Sequence, residues 1–164
     1  MMSNHLTNNP TPRSIMNYII RPCEEKDLPE LIELCAAHAE YEKNEYSKEG
    51  KLEGLRGAIF GKVKQLNCWI VEIDGKAEGF TTYTFDFSTW DAAPFLYMDC
   101  LYLNENCRGK GIGADIMERI REEARKNNCQ NIQWQTPEFN ARAIKFYVGL
   151  GSTGKQKMRF FLQP

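Results

Sequence analysis

A chain of 164 residues has the size of one domain and enough length to bury a core. Its net charge of −1 supplies no basic surface for nucleic acid or an anionic membrane, and no apolar run approaches the roughly 20 residues that span a bilayer. Six cysteines (Cys23, Cys35, Cys68, Cys100, Cys107 and Cys129) form no C-x-x-C pair and no zinc-like spacing, so a reduced cytoplasmic protein without a metal is expected.

Met1 to Met16 is rich in Asn, Thr and Pro and has no apolar stretch of the secretory kind. It reads as a flexible tail ahead of one domain over 17–164. Tyr18 to Arg21 is a first strand. A helix follows Pro22, with Asp27 as N-cap, Pro29 in the first turn, and Leu28, Leu31, Ile32, Cys35 and Ala39 at core-facing spacing. Leu52, Leu55 and Ile59 mark a second helix, weakened by Gly50, Gly54 and Gly57. Asn67 to Ile73 and Ala77 to Phe87 are strands joined by the hairpin turn Asp74-Gly75. Phe95 to Leu103 is the next strand. Its alternation sets Tyr97, Asp99, Leu101 and Leu103 on one face, opposite Met98, Cys100 and Tyr102.

The run Arg108-Gly109-Lys110-Gly111-Ile112-Gly113 separates that strand from a helix running to Lys126, in which Ile112, Ile116, Ile120 and Ala124 repeat every fourth residue. Glycines let the backbone turn tightly and bring its amides near a ligand. The helix start adds unpaired N–H groups and the positive end of its dipole, a cradle for phosphate or pyrophosphate. Gly113 is followed by Ala114 and Asp115 and not by Lys and a hydroxyl residue, which argues against an ATP-binding loop. The spacing G-x-G-x-G also departs from the dinucleotide fingerprint. Asn131 to Gln135 is a short strand, Ala141 to Leu150 a helix capped by Asn140 and closed by Gly151, and Lys157 to Leu162 a last strand.

Arg108, Gly111 and Gly113 in R-x-x-G-x-G, with the order β-α-α-β-β-β-α-β-α-β, resemble the GCN5-related N-acetyltransferase (GNAT) family over 17–164. The resemblance implies an α/β (α+β) fold with a mixed central sheet flanked by helices, and acetyl-CoA as cosubstrate. It implies that Leu101, Tyr102 and Leu103 pair with the pantetheine arm. The amides of Gly109, Lys110, Gly111, Ile112, Gly113 and Ala114 would then hold the pyrophosphate. Arg108 either supports the loop or touches phosphate, and Lys110 is either a phosphate neighbour or simply exposed. The stretch Asn140 to Tyr147 resembles the family's N-x-x-A-x-x-F-Y signature. Tyr147 is thereby the candidate general acid for the departing thiolate, since a phenol of pKa about 10 is protonated at neutral pH. Asn140, two helical turns earlier, would bind the cofactor arm, cap the helix, or both.

Asp99 is the best candidate to take a proton from the amine, through water, or to attract its cationic form. A structural salt bridge is the alternative, and a strand bulge would change the face it occupies. A catalytic cysteine lacks a histidine partner, because His5 is in the tail and His38 lies on the first helix. Ile20-Arg21-Pro22, Tyr41-Glu42 and the segment Tyr83 to Asp99 resemble the diamine (spermidine/spermine) branch of the family. By that resemblance Tyr41, Glu42 and Asp99 contact the acceptor, which suits a cation: carboxylates attract an ammonium and an aromatic face binds it. Where the branch has an acidic loop, this chain has Lys155 and Lys157. A small primary amine is expected, such as a short diamine, an amino acid with a side-chain amine, or a substrate bearing a carboxylate or phosphonate. A protein or peptide N-acetyltransferase and a non-catalytic acyl-CoA-binding module are the alternatives. The branch also implies a homodimer.

Overall fold

β-branched and aromatic residues in the middle of the chain build the sheet, and the computed structural model describes it within residues 17–164. The expected tail, Met1 to Met16, lies outside the described residues. Five strands are ordered β1-β2-β3-β4-β5: β1 Tyr18–Pro22, β2 Asn67–Ile73, β3 Lys76–Ser88, β4 Ala93–Leu103 and β5 Ile132–Gln133. All neighbours are antiparallel except β4 and β5. The β2–β3 turn is the expected one, with φ of 50° at Asp74 and 76° at Gly75. Helices are α1 Leu28–Tyr41, α2 Lys51–Phe60, α3 Ile112–Lys126 and α4 Ala141–Gly149. The fold is therefore the expected mixed sheet flanked by helices.

Two cores lie on opposite faces of the sheet. On one, Ile112, Ile116, Met117, Ile120 and Ala124 of α3 pack against Val71, Tyr83, Leu96 and Met98. On the other, Leu28, Leu31 and Leu34 of α1 and Ile59 of α2 pack against Ile70, Phe80 and Tyr102. Gly79 of β3 lies so close to β4 that a Cβ there would meet the Leu103 side chain at 2.5 Å and the Tyr102 carbonyl oxygen at 2.7 Å.

Four local expectations change. Asp27 precedes α1 but its side chain does not cap it. Instead its carboxylate takes two bonds from Arg21, at 2.6 and 2.9 Å, and one from the Glu24 amide at 2.8 Å. A bidentate guanidinium is a stronger partner than a helix amide. The strict alternation of β4 fails at Asp99, because Thr82 pairs with Cys100 and Tyr83 with Met98. Asp99 is the extra residue of a bulge, so Met98 and Leu101 pack on the same core. The strand expected at Asn131 to Gln135 shortens to Ile132–Gln133. The strand expected at Lys157 to Leu162 is not formed, and Phe160, Phe161 and Leu162 are exposed. A two-residue β5 is too short an edge to template six more residues.

The brevity of β5 also leaves part of the sheet uncovered. It pairs with β4 only at Leu96 and Tyr97. Beyond Tyr97, among the described residues, the outer edge of β4 has no strand beside it.

Candidate active site

The open edge of β4 forms one wall of a cleft of about 1050 Å³. The end of α1 and the segment after it form a second wall, and the glycine loop and α4 complete the enclosure. Leu101, Tyr102 and Leu103 line it, as do Arg108, Gly109, Gly111, Gly113 and Ala114. The loop has the geometry a phosphate cradle needs: Gly109 and Gly111 have φ of 75° and 86°, and α3 starts at Ile112. The first-turn amides of α3 have no intrahelical acceptor. Ile112 buries its side chain in the core, which leaves only its amide for a ligand, while the Lys110 side chain is exposed and outside the cleft lining. An unpaired strand edge running into a backbone nest fits an amide-bearing arm that ends in a pyrophosphate.

Arg108 supports the loop. Its Nε donates to the Leu103 carbonyl at 2.8 Å, and its guanidinium lies 4.2 Å from the Tyr41 ring centroid and 5.4 Å from that of Tyr102. The Tyr41 hydroxyl donates to Asn140 Oδ1 at 3.3 Å, and the same oxygen accepts from the Ala143 amide at 3.1 Å. Asn140 is thus a helix cap that also ties α4 to the end of α1. Residues 99 positions apart in sequence meet here.

Tyr147 lies on the inner face of α4, its ring 5.0 Å from Trp134 and 5.1 Å from Phe146. Burial pushes its phenol up to about 12, with further contributions from the Glu42 carboxylate and the Cys100 thiol. The group stays protonated across the neutral range and can donate to a developing anion. Asp99 is exposed at the bulge and accepts from the Cys100 thiol at 3.6 Å. Burial raises the Cys100 thiol, and the Asp99 charge adds to the effect. Burial likewise pushes the Cys35 thiol up to about 11. Both thiols lining the cleft are held protonated, which leaves them poor nucleophiles.

All five residues singled out for chemistry or acceptor contact (Tyr41, Glu42, Asp99, Asn140 and Tyr147) line the cleft. His38, which no motif marked, joins them. It lines the same cleft, 3.3 Å through Nε2 from Glu42 Oε1, with its ring 5.3 Å from Tyr102. The spacing of four between His38 and Glu42 on one helix face carried that signal. Lys51 and Arg159 also line the cleft, and neither was marked by a motif. No group of three or more His, Cys, Asp or Glu side chains among the described residues is placed to hold a metal ion.

The chain resembles known proteins in sequence and in fold. A thialysine N-epsilon-acetyltransferase of Bos taurus is 30% identical over 142 residues, which cover 82% of this chain and 83% of that protein. A spermidine/spermine N(1)-acetyltransferase-like protein 1 of Homo sapiens is 26% identical over 145 residues, 84% of this chain and 21% of that protein. Among solved structures, the aminoglycoside N-acetyltransferase AAC(6')-Iy in complex with CoA superposes with a TM-score of 0.74 at 17% identity, over 93% of this chain and 98% of that one. The model of the acetyltransferase (GNAT) family matches residues 31–151. The chain belongs to that family and is an N-acetyltransferase.

Proposed function

We propose that the domain over 17–164 moves an acetyl group from acetyl-CoA to a primary amine of a small molecule, by direct attack with both substrates bound. The observation that carries the reading is the convergence of Tyr147, Glu42 and Asp99 on the open edge of β4. The cosubstrate supplies an activated thioester. Leu101, Tyr102 and Leu103 would hold its arm through their backbone, and the amides from Gly109 to Ala114 its pyrophosphate. Asn140 would bind the arm while it caps α4. Tyr41, Glu42 and Asp99 bind the ammonium, and Asp99 accepts its proton through water. Glu42, oriented by His38, holds the cation between two carboxylates. Tyr147 protonates the departing thiolate.

The relatives' names support a small amine, since one acts on thialysine and another is like a spermidine/spermine enzyme. The cleft walls formed by α1 and α4 also suit a compact acceptor. Six cysteines without a disulfide suit the reducing cytoplasm. Exposed Phe160, Phe161 and Leu162 suit the homodimer that the resemblance implies.

Steady-state thiol release with thialysine, a short diamine, spermidine and peptide N-termini tests the reading. Small amines should turn over with intersecting initial-velocity patterns. Turnover confined to peptides would sink it. Asp99→Asn should lower kcat/KM for the amine about tenfold to a hundredfold while KM for acetyl-CoA holds. An unchanged kcat/KM would remove Asp99 from the mechanism.

A further inference from the structure

The cleft continues past Asp99, away from the glycine loop, and its lining there changes character. Tyr46, Lys51, Tyr97 and Arg159 line this end. Lys51 opens α2, and Arg159 belongs to the segment after α4. Neighbouring cations are engaged with acids: Lys48 pairs with Glu33 at 2.6 Å, and Arg56 pairs with Glu53. The partners described for Lys51 and Arg159, two of the five Lys and Arg side chains that line the cleft, are rings instead. Lys51 Nζ lies 5.5 Å from the Tyr46 centroid, and the Arg159 guanidinium 5.4 Å from that of Phe161.

We infer that this end of the cleft is a subsite for an anionic group, and that Lys51 and Arg159 hold the carboxylate of an acceptor whose distant amine is acetylated. The inference rests on the small-amine reading above and narrows it to amino acids with a side-chain amine. The three charges act on shared neighbours. Burial raises both the Tyr97 phenol and the Cys35 thiol; at Tyr97 the Asp99 charge adds to it and Arg159 opposes it, and at Cys35, after the lowering bond from Tyr46, Asp99 adds and Lys51 opposes. At this end of the cleft one carboxylate, Asp99, and two cations, Lys51 and Arg159, therefore share the cavity without an ion pair between them, while Glu42, Arg108, Arg142 and Lys145 also line the cleft. That pattern complements a molecule with an ammonium and a carboxylate. A linear polyamine would set its far ammonium against Lys51 and Arg159, which is repulsive.

Both side chains are exposed to solvent, so each alone is a modest hold and the two act together. The test compares thialysine with the diamine that it leaves on decarboxylation, in the full-length protein. Wild type should favour thialysine in kcat/KM. Lys51→Glu should lower the thialysine-to-diamine ratio of kcat/KM roughly tenfold, and Arg159→Gln several-fold, through KM for the amino acid. Lys51→Gln provides a milder variant, and an unaltered KM for acetyl-CoA verifies that each variant is folded. A ratio that stays constant across all three variants, or a wild-type preference for the diamine, overturns the subsite and leaves the small-amine reading standing. Failure of wild type to acetylate either compound overturns both.

Discussion

Tyr147→Phe should lower kcat by about two to three orders of magnitude and leave KM for acetyl-CoA within a factor of about two. The substitution removes one oxygen and nothing else. The ring keeps its packing on Trp134 and Phe146, so the fold and the shape of the cleft persist. What is lost is the proton donor. Without it the thiolate leaves unprotonated and the reverse attack competes with product formation. Burial and the Glu42 charge push the phenol up to about 12, so wild-type activity should not decline through loss of this proton until the pH approaches that value. A pH series of kcat for both proteins measures this. A Phe variant with near wild-type kcat would show that water protonates the thiolate.

Arg21→Ala should cost about 3 kcal/mol of stability, or about 6 to 12 °C in Tm, without touching the cleft. The guanidinium donates twice to Asp27, at 2.6 and 2.9 Å, and once to Glu72 at 2.7 Å. Asp27 is 3% exposed, so removing Arg21 strands a buried carboxylate. The hydrogen bonds from Arg21 hold the Asp27 carboxyl below the usual carboxylate range. The folded state therefore binds that proton less readily than the unfolded chain does. The associated stability is fully present above the unfolded value of about 3.9 and is lost as the pH falls through the lower folded value. Urea unfolding at pH 7 and in acid should show a shallower acid limb in the variant. Equal stability of variant and wild type at pH 7 would mean that Glu72 and Asp27 find other partners. Arg21→Lys, which keeps the charge and loses the fork, should fall between them.

Features set by local pattern were the ones legible in the sequence. The fourfold repeat of α3 buries Ile112, Ile116, Ile120 and Ala124 as expected, and β2 runs over the expected residues. Asn140 does cap α4 through the Ala143 amide. Features set by a distant partner were not legible. The face that Asp99 occupies depends on a register slip opposite Thr82 and Tyr83, which the alternation within β4 cannot encode. The tail from Lys157 to Leu162 has strand-like residues, yet a strand needs an edge to pair with, and β5 offers two residues. Asp27 looked like a helix cap because its bidentate partner lies six residues upstream on a strand. Lys51 and Arg159 look like ordinary surface cations until folding brings both to one cavity. Family motifs mark Tyr147, Glu42 and the glycine loop, which the fold brings to one cleft.

The bare outer edge of β4 beyond Tyr97 has a cost of its own. Unsatisfied backbone donors and acceptors on an exposed edge invite another chain to pair, which is the usual start of aggregation. This edge carries no proline past Pro94 and no lysine, so the Asp99 charge and the bulge around it are its own guards against such pairing. Whatever lies along it in the working protein doubles as a guard. Under the proposed function, an amide-bearing cosubstrate paired there would cover the edge and guard the chain from its own copies.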